Sequence, residues 1–292
     1  MKNISILSFF LSLPFFLSAQ IDNMQKAFEL YDGTGQKATI QQLMEKAQEA
    51  DVFFFGELHN NPIAHWLQLE LTKALHEAKE GKVTLGAEMF ESDNQILIDE
   101  YFAEHIRQKD FEGEVRLWDN YKTDYKPLLE FAKANELGFV ATNIPRRYAN
   151  LVYRQGFEGL EGLSETGKSF VAPLPVKYDP EVACYKNMLA MMGGHGGDGA
   201  NNLPKAQAIK DATMAHFILK NKKDDHLFIH YNGSYHSDNK EGIGWYLLQA
   251  NPELKIVNIT TIQVDDLNKI PEEELGKADF IIATPKTMTT TY

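Results

Sequence analysis

Short apolar runs alternate along the chain with longer stretches that have the period of an amphipathic helix. Five runs are apolar at nearly every position, which is typical of strands covered on both faces. They are residues 52–55, 83–87, 139–142, 227–231 and 256–260, and residues 280–283 are a candidate sixth. Strands that alternate with helices in this way predict an α/β fold with a central, mostly parallel sheet flanked by helices.

Helical periodicity follows most of the predicted strands. The predicted helices cover residues 63–80, 94–108, 125–136 and 205–220, and another begins at Pro145, since proline is tolerated in a first turn. Between residues 157 and 204, glycines and prolines interrupt the periodicity, and only residues 181–192 form a short helical run. We therefore predict a single domain over residues 20–292, with a small helical insertion at about residues 157–204.

The N-terminus has the pattern of a secretory signal peptide. Lys2 precedes an apolar stretch over residues 4–17, and the small residues Ser18 and Ala19 follow it. The stretch is shorter than the ~20 apolar residues of a membrane-spanning helix, and no later run reaches that length. We expect cleavage after residue 19 and export to the periplasm or cell envelope. No cysteine lies near the cleavage point, so a lipoprotein anchor is not expected.

Charge and cysteine content exclude several classes of partner and site. The chain has 29 Lys and Arg residues against 41 Asp and Glu residues, which gives a formal net charge of −12. Nucleic acid is therefore not an expected partner, because it binds proteins through basic surfaces. Cys184 is the single cysteine, which excludes an intramolecular disulfide and a four-thiolate metal site.

Polar side chains with metal-binding or acid–base chemistry follow four of the predicted strands. They are Glu57, His59, Glu88, Arg146, Arg147 and His236. Functional groups of open α/β sheets collect at the ends of strands, so we expect these residues to share one pocket. Two imidazoles with carboxylates suit a divalent metal ion, with His59, His236 and Glu88 as ligands. Arg146 and Arg147 begin a helix and are candidates for binding a carboxylate or phosphate.

Two of these strands end in the same Gly-x-x-His arrangement. Gly56 precedes His59 by three residues, and Gly233 precedes His236 by three. We expect each glycine to let the backbone turn sharply as it leaves the sheet, which aims the histidine across the top of the sheet.

The predicted insertion contains a second set of candidate ligands. Tyr178, Tyr185, Met192 and His195 combine aromatic, thioether and imidazole side chains near a glycine tract at residues 193–199. Haem iron accepts Tyr, His or Met as axial ligands, and a porphyrin needs an apolar surround. The alternative is that the methionines of this segment belong to a helical core stripe.

Several short motifs resemble those of the ChaN-like haem-binding proteins, within the wider superfamily of haem-uptake and Tiki-type proteins. They occur in the order of that family and span most of the chain. The motifs are Phe55-Gly56-Glu57-Leu58-His59-Asn60-Asn61-Pro62, Glu88-Met89-Phe90, Tyr125-Lys126-Pro127-Leu128-Leu129, Asn143-Ile144-Pro145-Arg146-Arg147, Asp211-Ala212-Thr213-Met214-Ala215 and Gly233-Ser234-Tyr235-His236.

The resemblance implies an exported protein that binds haem in haem or iron acquisition, with a Tyr or His axial ligand. It also implies a homodimer around stacked haems and an outer-membrane haem receptor as partners. Tyr185 is the first choice of ligand, because it lies in the insertion near His195. The segment of the insertion itself matches the family weakly, and family members are often lipoproteins, whereas this chain has no suitable cysteine.

Tiki-type relatives suggest a second function, because some of them are metal-dependent hydrolases. In that interpretation His59, His236 and Glu88 or Glu57 hold a divalent ion that activates water, and Arg146 stabilises the oxyanion. A third interpretation is an envelope binding module whose insertion contacts a partner chain. The residues alone favour the metal pocket, whereas the family resemblance favours haem.

Overall fold

A single seven-stranded sheet organises the protein, whose computed structural model describes residues 26–191 and 200–292. The strand order is β1-β7-β6-β2-β5-β3-β4. The strands are β1 Glu29–Asp32, β2 Val52–Glu57, β3 Val83–Glu91, β4 Gly138–Asn143, β5 Leu227–Gly233, β6 Ile256–Val264 and β7 Phe280–Pro285. Neighbouring strands are parallel, except that β1 runs antiparallel to β7. The predicted fold class is confirmed.

Helices cover both faces of the sheet, which explains why its central strands are apolar at most positions. In β2, Phe53 and Phe55 belong to the larger core cluster, whereas Val52 and Phe54 belong to the cluster on the opposite face. Successive side chains of a strand point to opposite faces, so both faces of β2 are buried in packed helices. This packing fixes the strand termini, from which the polar side chains emerge.

Ten α-helices occur in the described residues. They are α1 Ile40–Gln48, α2 Pro62–Ala78, α3 Gln95–Phe102, α4 Gln108–Glu114, α5 Lys126–Ala134, α6 Arg146–Gln155, α7 Glu165–Lys168, α8 Ala183–Met191, α9 Leu203–Asn221 and α10 Ile243–Ala250. Two of them begin as their sequences favour, since Asn61 caps α2 and Pro204 lies in the first turn of α9. Within the described residues, no helix combines the length and the apolar character needed to cross a bilayer.

Two predicted elements differ from the structure. The predicted helix at residues 94–108 ends early, at Phe102, and a separate helix α4 begins only at Gln108; Glu104 between them has a positive φ of 61° that a continuous helix does not allow. Strand β1 was not predicted, because it is only four residues long and pairs at the sheet edge. The predicted leader, residues 1–19, lies outside the described residues.

The predicted insertion packs against the sheet-covering helices through its own small core. Leu160 and Val171 join Val152 of α6 and Ile209 of α9 in one buried cluster. Helix α9 in turn contacts β4 and α10. The long helix α9 therefore connects the insertion to the sheet and brings its own side chains toward the strand ends.

Candidate functional site

A cavity of about 600 Å³ opens at the carboxyl ends of the parallel strands. Four of the predicted site residues line it, namely His59, Glu88, Arg146 and His236. This is the position at which open α/β sheets carry ligand sites. The structure thus brings side chains from four different strand ends to one place.

His59 is held by a buried carboxylate on one side of the cavity. Its Nδ1 lies 2.8 Å from Oε1 of Glu57, the last residue of β2. Tyr125 donates its hydroxyl proton to the same oxygen at 2.7 Å, and Gln68 donates to the other oxygen at 2.5 Å. Burial disfavours the charge of Glu57, but these bonds and the neighbouring His65 outweigh it and lower the pKa of Glu57.

The His59 ring is partly accessible from the cavity. Trp118 packs edge-on against the ring, with centroids 4.8 Å apart, and about a third of the His59 side chain remains exposed. Burial lowers the pKa of His59, whereas Glu57 and Glu88 raise it, and the net shift is upward. A carboxylate-oriented imidazole with an accessible edge can act as an acid, a base or a ligand.

His236 lies between two carboxylates in the floor of the cavity. Its Nε2 is 3.2 Å from Oε1 of Glu88, and its Nδ1 is hydrogen-bonded to Asp211. Burial opposes the charge on the ring, but Glu88 and Asp211 outweigh this effect and raise the pKa of His236 to about 10. His236 is therefore a fixed imidazolium at neutral pH. In return, its charge lowers the pKa of Glu88 well below the usual range, although burial acts in the opposite direction.

Asp211 is a site residue that the sequence analysis did not select. It is buried on α9, where burial raises its pKa, and it accepts a hydrogen bond from the Tyr185 hydroxyl at 2.8 Å. The sequence did contain a signal for it, namely an acidic residue among apolar residues of a predicted helix. A buried carboxylate of this kind is rarely left without a partner, so it indicates a polar site nearby. Lys210, Asn143 and Tyr292 also line the cavity and were not selected.

Arg146 and Arg147 have different environments although they are adjacent. Arg146 is exposed and lines the cavity. Arg147 points elsewhere, because its Nη1 lies 2.5 Å from Asp93 and its guanidinium stacks on the ring of Tyr148. Of the predicted anion-binding pair, the structure places Arg146 alone at the cavity.

Of the four predicted haem-binding residues, Tyr178 and Tyr185 belong to the described residues, and neither lines this cavity. Tyr185 is fully buried beneath the site, with its hydroxyl bonded to Asp211. Tyr178 is half-buried and packs on Phe157 and Tyr185. Met192 and His195 lie outside the described residues. Ligation by Tyr185 would require its hydrogen bond to break and its ring to leave the core.

The predicted metal ligands share the cavity but are arranged as hydrogen-bonded acid–base pairs. Each ring nitrogen of His236 faces a carboxylate, and Nδ1 of His59 is bonded to Glu57. Across residues 26–191 and 200–292, no group of three or more His, Cys, Asp or Glu side chains could hold a metal ion. The predicted cluster of His59, His236 and Glu88 is therefore not found as a metal site among these residues, since both ring nitrogens of His236 already face carboxylates.

The glycines of the Gly-x-x-His motifs serve a purpose other than the predicted sharp turn. Gly233 has an ordinary φ of −56°, and Gly56 is not among the positive-φ glycines. A β-carbon on Gly56 would instead lie 2.7 Å from the carbonyl oxygen of Ile259, and one on Gly233 would lie 2.8 Å from Nε2 of His59. These glycines are required because neighbouring atoms approach them closely.

Comparison with known proteins identifies the family. Residues 43–247 match the family described as haem-binding uptake, Tiki superfamily, ChaN. The chain belongs to this family. The family resemblance stated from the sequence motifs is thus confirmed, and the matched region includes the strand ends that carry His59, Glu88, Arg146 and His236.

A solved structure is similar in fold at low sequence identity. A structure described as cofacial heme binding to ChaN of Campylobacter jejuni is 19% identical, with a TM-score of 0.64, and the match covers 88% of this chain and 96% of that chain. A Bacillus cereus protein is 12% identical over 90% of this chain and 95% of that one, but its TM-score of 0.48 does not establish a common fold. No curated protein matches the sequence.

Proposed function

We propose that this chain is an exported haem-binding protein that acts in haem or iron acquisition, and that haem binds in the cavity at the strand ends. The observation that carries the proposal is this cavity, which joins a carboxylate-oriented imidazole, an apolar wall and unpaired basic groups. Membership of a haem-binding uptake family supports it.

The lining of the cavity fits a porphyrin in size and in chemistry. Its volume of about 600 Å³ lies within the range of roughly 300–1,000 Å³ of ligand and cofactor sites. Leu117 and Trp118, which line the cavity and are partly exposed, supply apolar surface for contact with the macrocycle. When bound, haem supplies the iron; the protein supplies an axial ligand and groups that orient the porphyrin.

His59 and Tyr292 are the proposed axial ligands, because both line the cavity and are partly exposed. The hydrogen bond from His59 to Glu57 is the kind that orients ligating histidines. Tyr292 is the one tyrosine lining the cavity among the described residues. Burial and the charges of Glu57 and Asp124 raise the pKa of Tyr292, so its binding to iron would release a proton.

Haem titration of the purified mature protein tests this proposal. We expect a saturable shift of the Soret band with one haem for each chain. His59→Ala or Tyr292→Phe should change the spectrum or weaken binding, whereas the control His226→Ala should not, because His226 lies on the surface beside Asp225. A titration without saturation would contradict haem binding.

Export and assembly are separate parts of the proposal. Cleavage after residue 19 predicts a mature N-terminus at Gln20, which mass spectrometry of the secreted or periplasmic fraction measures directly. A homodimer around stacked haems predicts that the sedimentation coefficient increases only when haem is added. Recovery of the protein in the cytoplasm with its leader intact would contradict export. A sedimentation coefficient that does not change when haem is added would contradict the stacked dimer. Transfer of haem from an outer-membrane receptor is the proposed source of the ligand.

Hydrolysis is a second candidate, favoured by the pairing of Glu57 with His59. Unprotonated His59 can take a proton from water as the oxygen adds to a carbonyl carbon, and then return that proton to the leaving group. Arg146 and the His236 imidazolium can offset the charge on the oxyanion. Glu57 and Glu88 raise the pKa of His59 although burial lowers it, so hydrolysis should increase toward alkaline pH.

Hydrolysis of p-nitrophenyl acetate measures this second activity. We expect His59→Asn to abolish any turnover above background and His226→Asn to retain it. Equal rates of ester hydrolysis in wild type and His59→Asn would contradict a catalytic role for His59. Elemental analysis of the same samples tests the metal-dependent form of the reaction, which predicts a divalent ion that is lost in His59→Ala.

A further inference from the structure

Two basic residues of the cavity have no carboxylate partner within the described residues. Arg146 and Lys210 both line the cavity. Neighbouring basic residues are neutralised, because Arg116 pairs with Glu91 and Arg147 pairs with Asp93. No salt bridge to Arg146 or Lys210 occurs across residues 26–191 and 200–292, although Asp and Glu outnumber Lys and Arg by 41 to 29.

In the part of the chain that the structure describes, Lys210 lacks the carboxylate partner that several other shielded lysines have. Lys210 is half-buried on α9. Lys126, Lys222 and Lys277 are also partly shielded from solvent, with side-chain exposures of 25%, 12% and 30%, and each pairs with a carboxylate. Partial burial of an ammonium group without a counter-ion costs free energy. A ligand that carries negative charge would remove this cost.

The floor of the cavity directs such a ligand toward these two cations. Glu88 lines the cavity and has a lowered pKa, and His236 lies between Glu88 and Asp211. Both ring nitrogens of His236 are occupied by these carboxylates, so the ring has no free N–H to offer a carboxylate of the ligand. Arg146 and Lys210 are therefore the places where an anionic group of the ligand gains most.

We propose that Arg146 and Lys210 bind the two carboxylate groups of the ligand and so set its orientation in the cavity. The inference rests on the proposed function for the ligand itself, whose two carboxylates are the propionates of haem. Arg146 presents a planar guanidinium that can hold a carboxylate through two hydrogen bonds, and Lys210 presents a compact charge. The apolar part of the porphyrin then faces Leu117 and Trp118.

Comparison of haem with its dimethyl ester isolates the carboxylate contribution. Arg146→Gln and Lys210→Gln should each weaken haem binding roughly tenfold, as expected for loss of one charge-assisted contact, but should leave ester binding unchanged. Arg147→Gln, an adjacent paired cation, and Lys220→Gln, an exposed lysine of α9, are matched controls that should bind haem as wild type does. Equal losses for haem and ester, or no loss for haem, would overturn the inference while leaving haem binding intact.

A ligand without a porphyrin separates this inference from the proposed function. If neither haem nor its ester binds, the haem proposal fails, and titration with glutarate decides the role of the two cations. Glutarate should raise the melting temperature of wild type and not that of the Arg146→Gln, Lys210→Gln double variant. An equal response of both proteins to glutarate would overturn the inference.

Discussion

The ring of His59 packs so closely on Gly233 that a β-carbon at position 233 would lie 2.8 Å from Nε2 of His59. The amide of Gly233 also donates to Oε2 of Glu88 at 2.8 Å. Gly233 thus makes room for one site residue and holds another. The contact joins the end of β5 to the loop that follows β2, and it couples the two sides of the cavity.

Gly233→Ala should disturb the site more than the fold. The added methyl group contacts the His59 side chain, which can move aside. The φ of residue 233, −56°, is also one that alanine adopts readily. We expect haem binding to weaken about tenfold and the free energy of unfolding to change by about 1 kcal/mol. Haem titration and urea unfolding measure both effects. Gly113→Ala is the control, because no atom lies within 4 Å of a β-carbon there; unchanged affinity in Gly233→Ala would contradict the expectation.

Gly56→Ala should instead destabilise the fold. Its β-carbon would lie 2.7 Å from the carbonyl oxygen of Ile259 and 2.9 Å from Cα of Ser234, and these are backbone atoms that cannot rotate away. Strands β2 and β6 would have to separate, at a cost of about 3 kcal/mol. Chemical denaturation measures the loss. Gly162→Ala is the control, because a β-carbon at that position has open space around it. If both variants have the same denaturation midpoint, the strands accommodate the methyl group of Gly56→Ala without loss of stability.

The charge of His236 should make stability dependent on pH. Its pKa rises from 6.5 to about 10 on folding, so its stabilising contribution is complete below pH 6.5 and is lost as the pH rises toward 10. The difference in unfolding free energy between wild type and His236→Gln should decrease over this range, by at most about 1.4 kcal/mol for each pH unit. Urea unfolding at several pH values measures it, with His226→Gln as control. A constant difference would show that His236 is neutral in the folded protein.

Tyr185→Phe should affect stability and not the iron ligand. The change removes the hydrogen bond to buried Asp211, which should cost about 1–2 kcal/mol. The absorption spectrum of the haem complex should stay the same, because the ring lies beneath the cavity. Tyr153→Phe, a half-buried tyrosine of α6, is the control for loss of a hydroxyl. If the absorption spectrum of the haem complex changes in Tyr185→Phe but not in Tyr153→Phe, Tyr185 is the axial ligand, as predicted from the sequence.

The sheet was readable from the sequence because its central strands are buried on both faces. All six predicted runs are strands, although β3 extends to Glu91 instead of ending at Ala87. Its register with β4 is irregular between these two residues, which is where Glu88 leaves the sheet for the cavity. Apolar periodicity cannot reveal such an irregularity, since it depends on the neighbouring strand. The edge strand β1 escaped prediction because it is only four residues long.

The amino-acid sequence alone determined the α/β class, the polar residues at the strand ends and the family, because these depend on local periodicity and on motifs. Tertiary structure decided the partner of each polar group. Asp211 meets His236 across 25 residues of chain, and Arg146 faces the cavity while adjacent Arg147 binds Asp93. These pairings depend on how α9 and α6 pack on the sheet. A buried charge takes its protonation state from the groups that packing places around it, and sequence spacing does not contain that information.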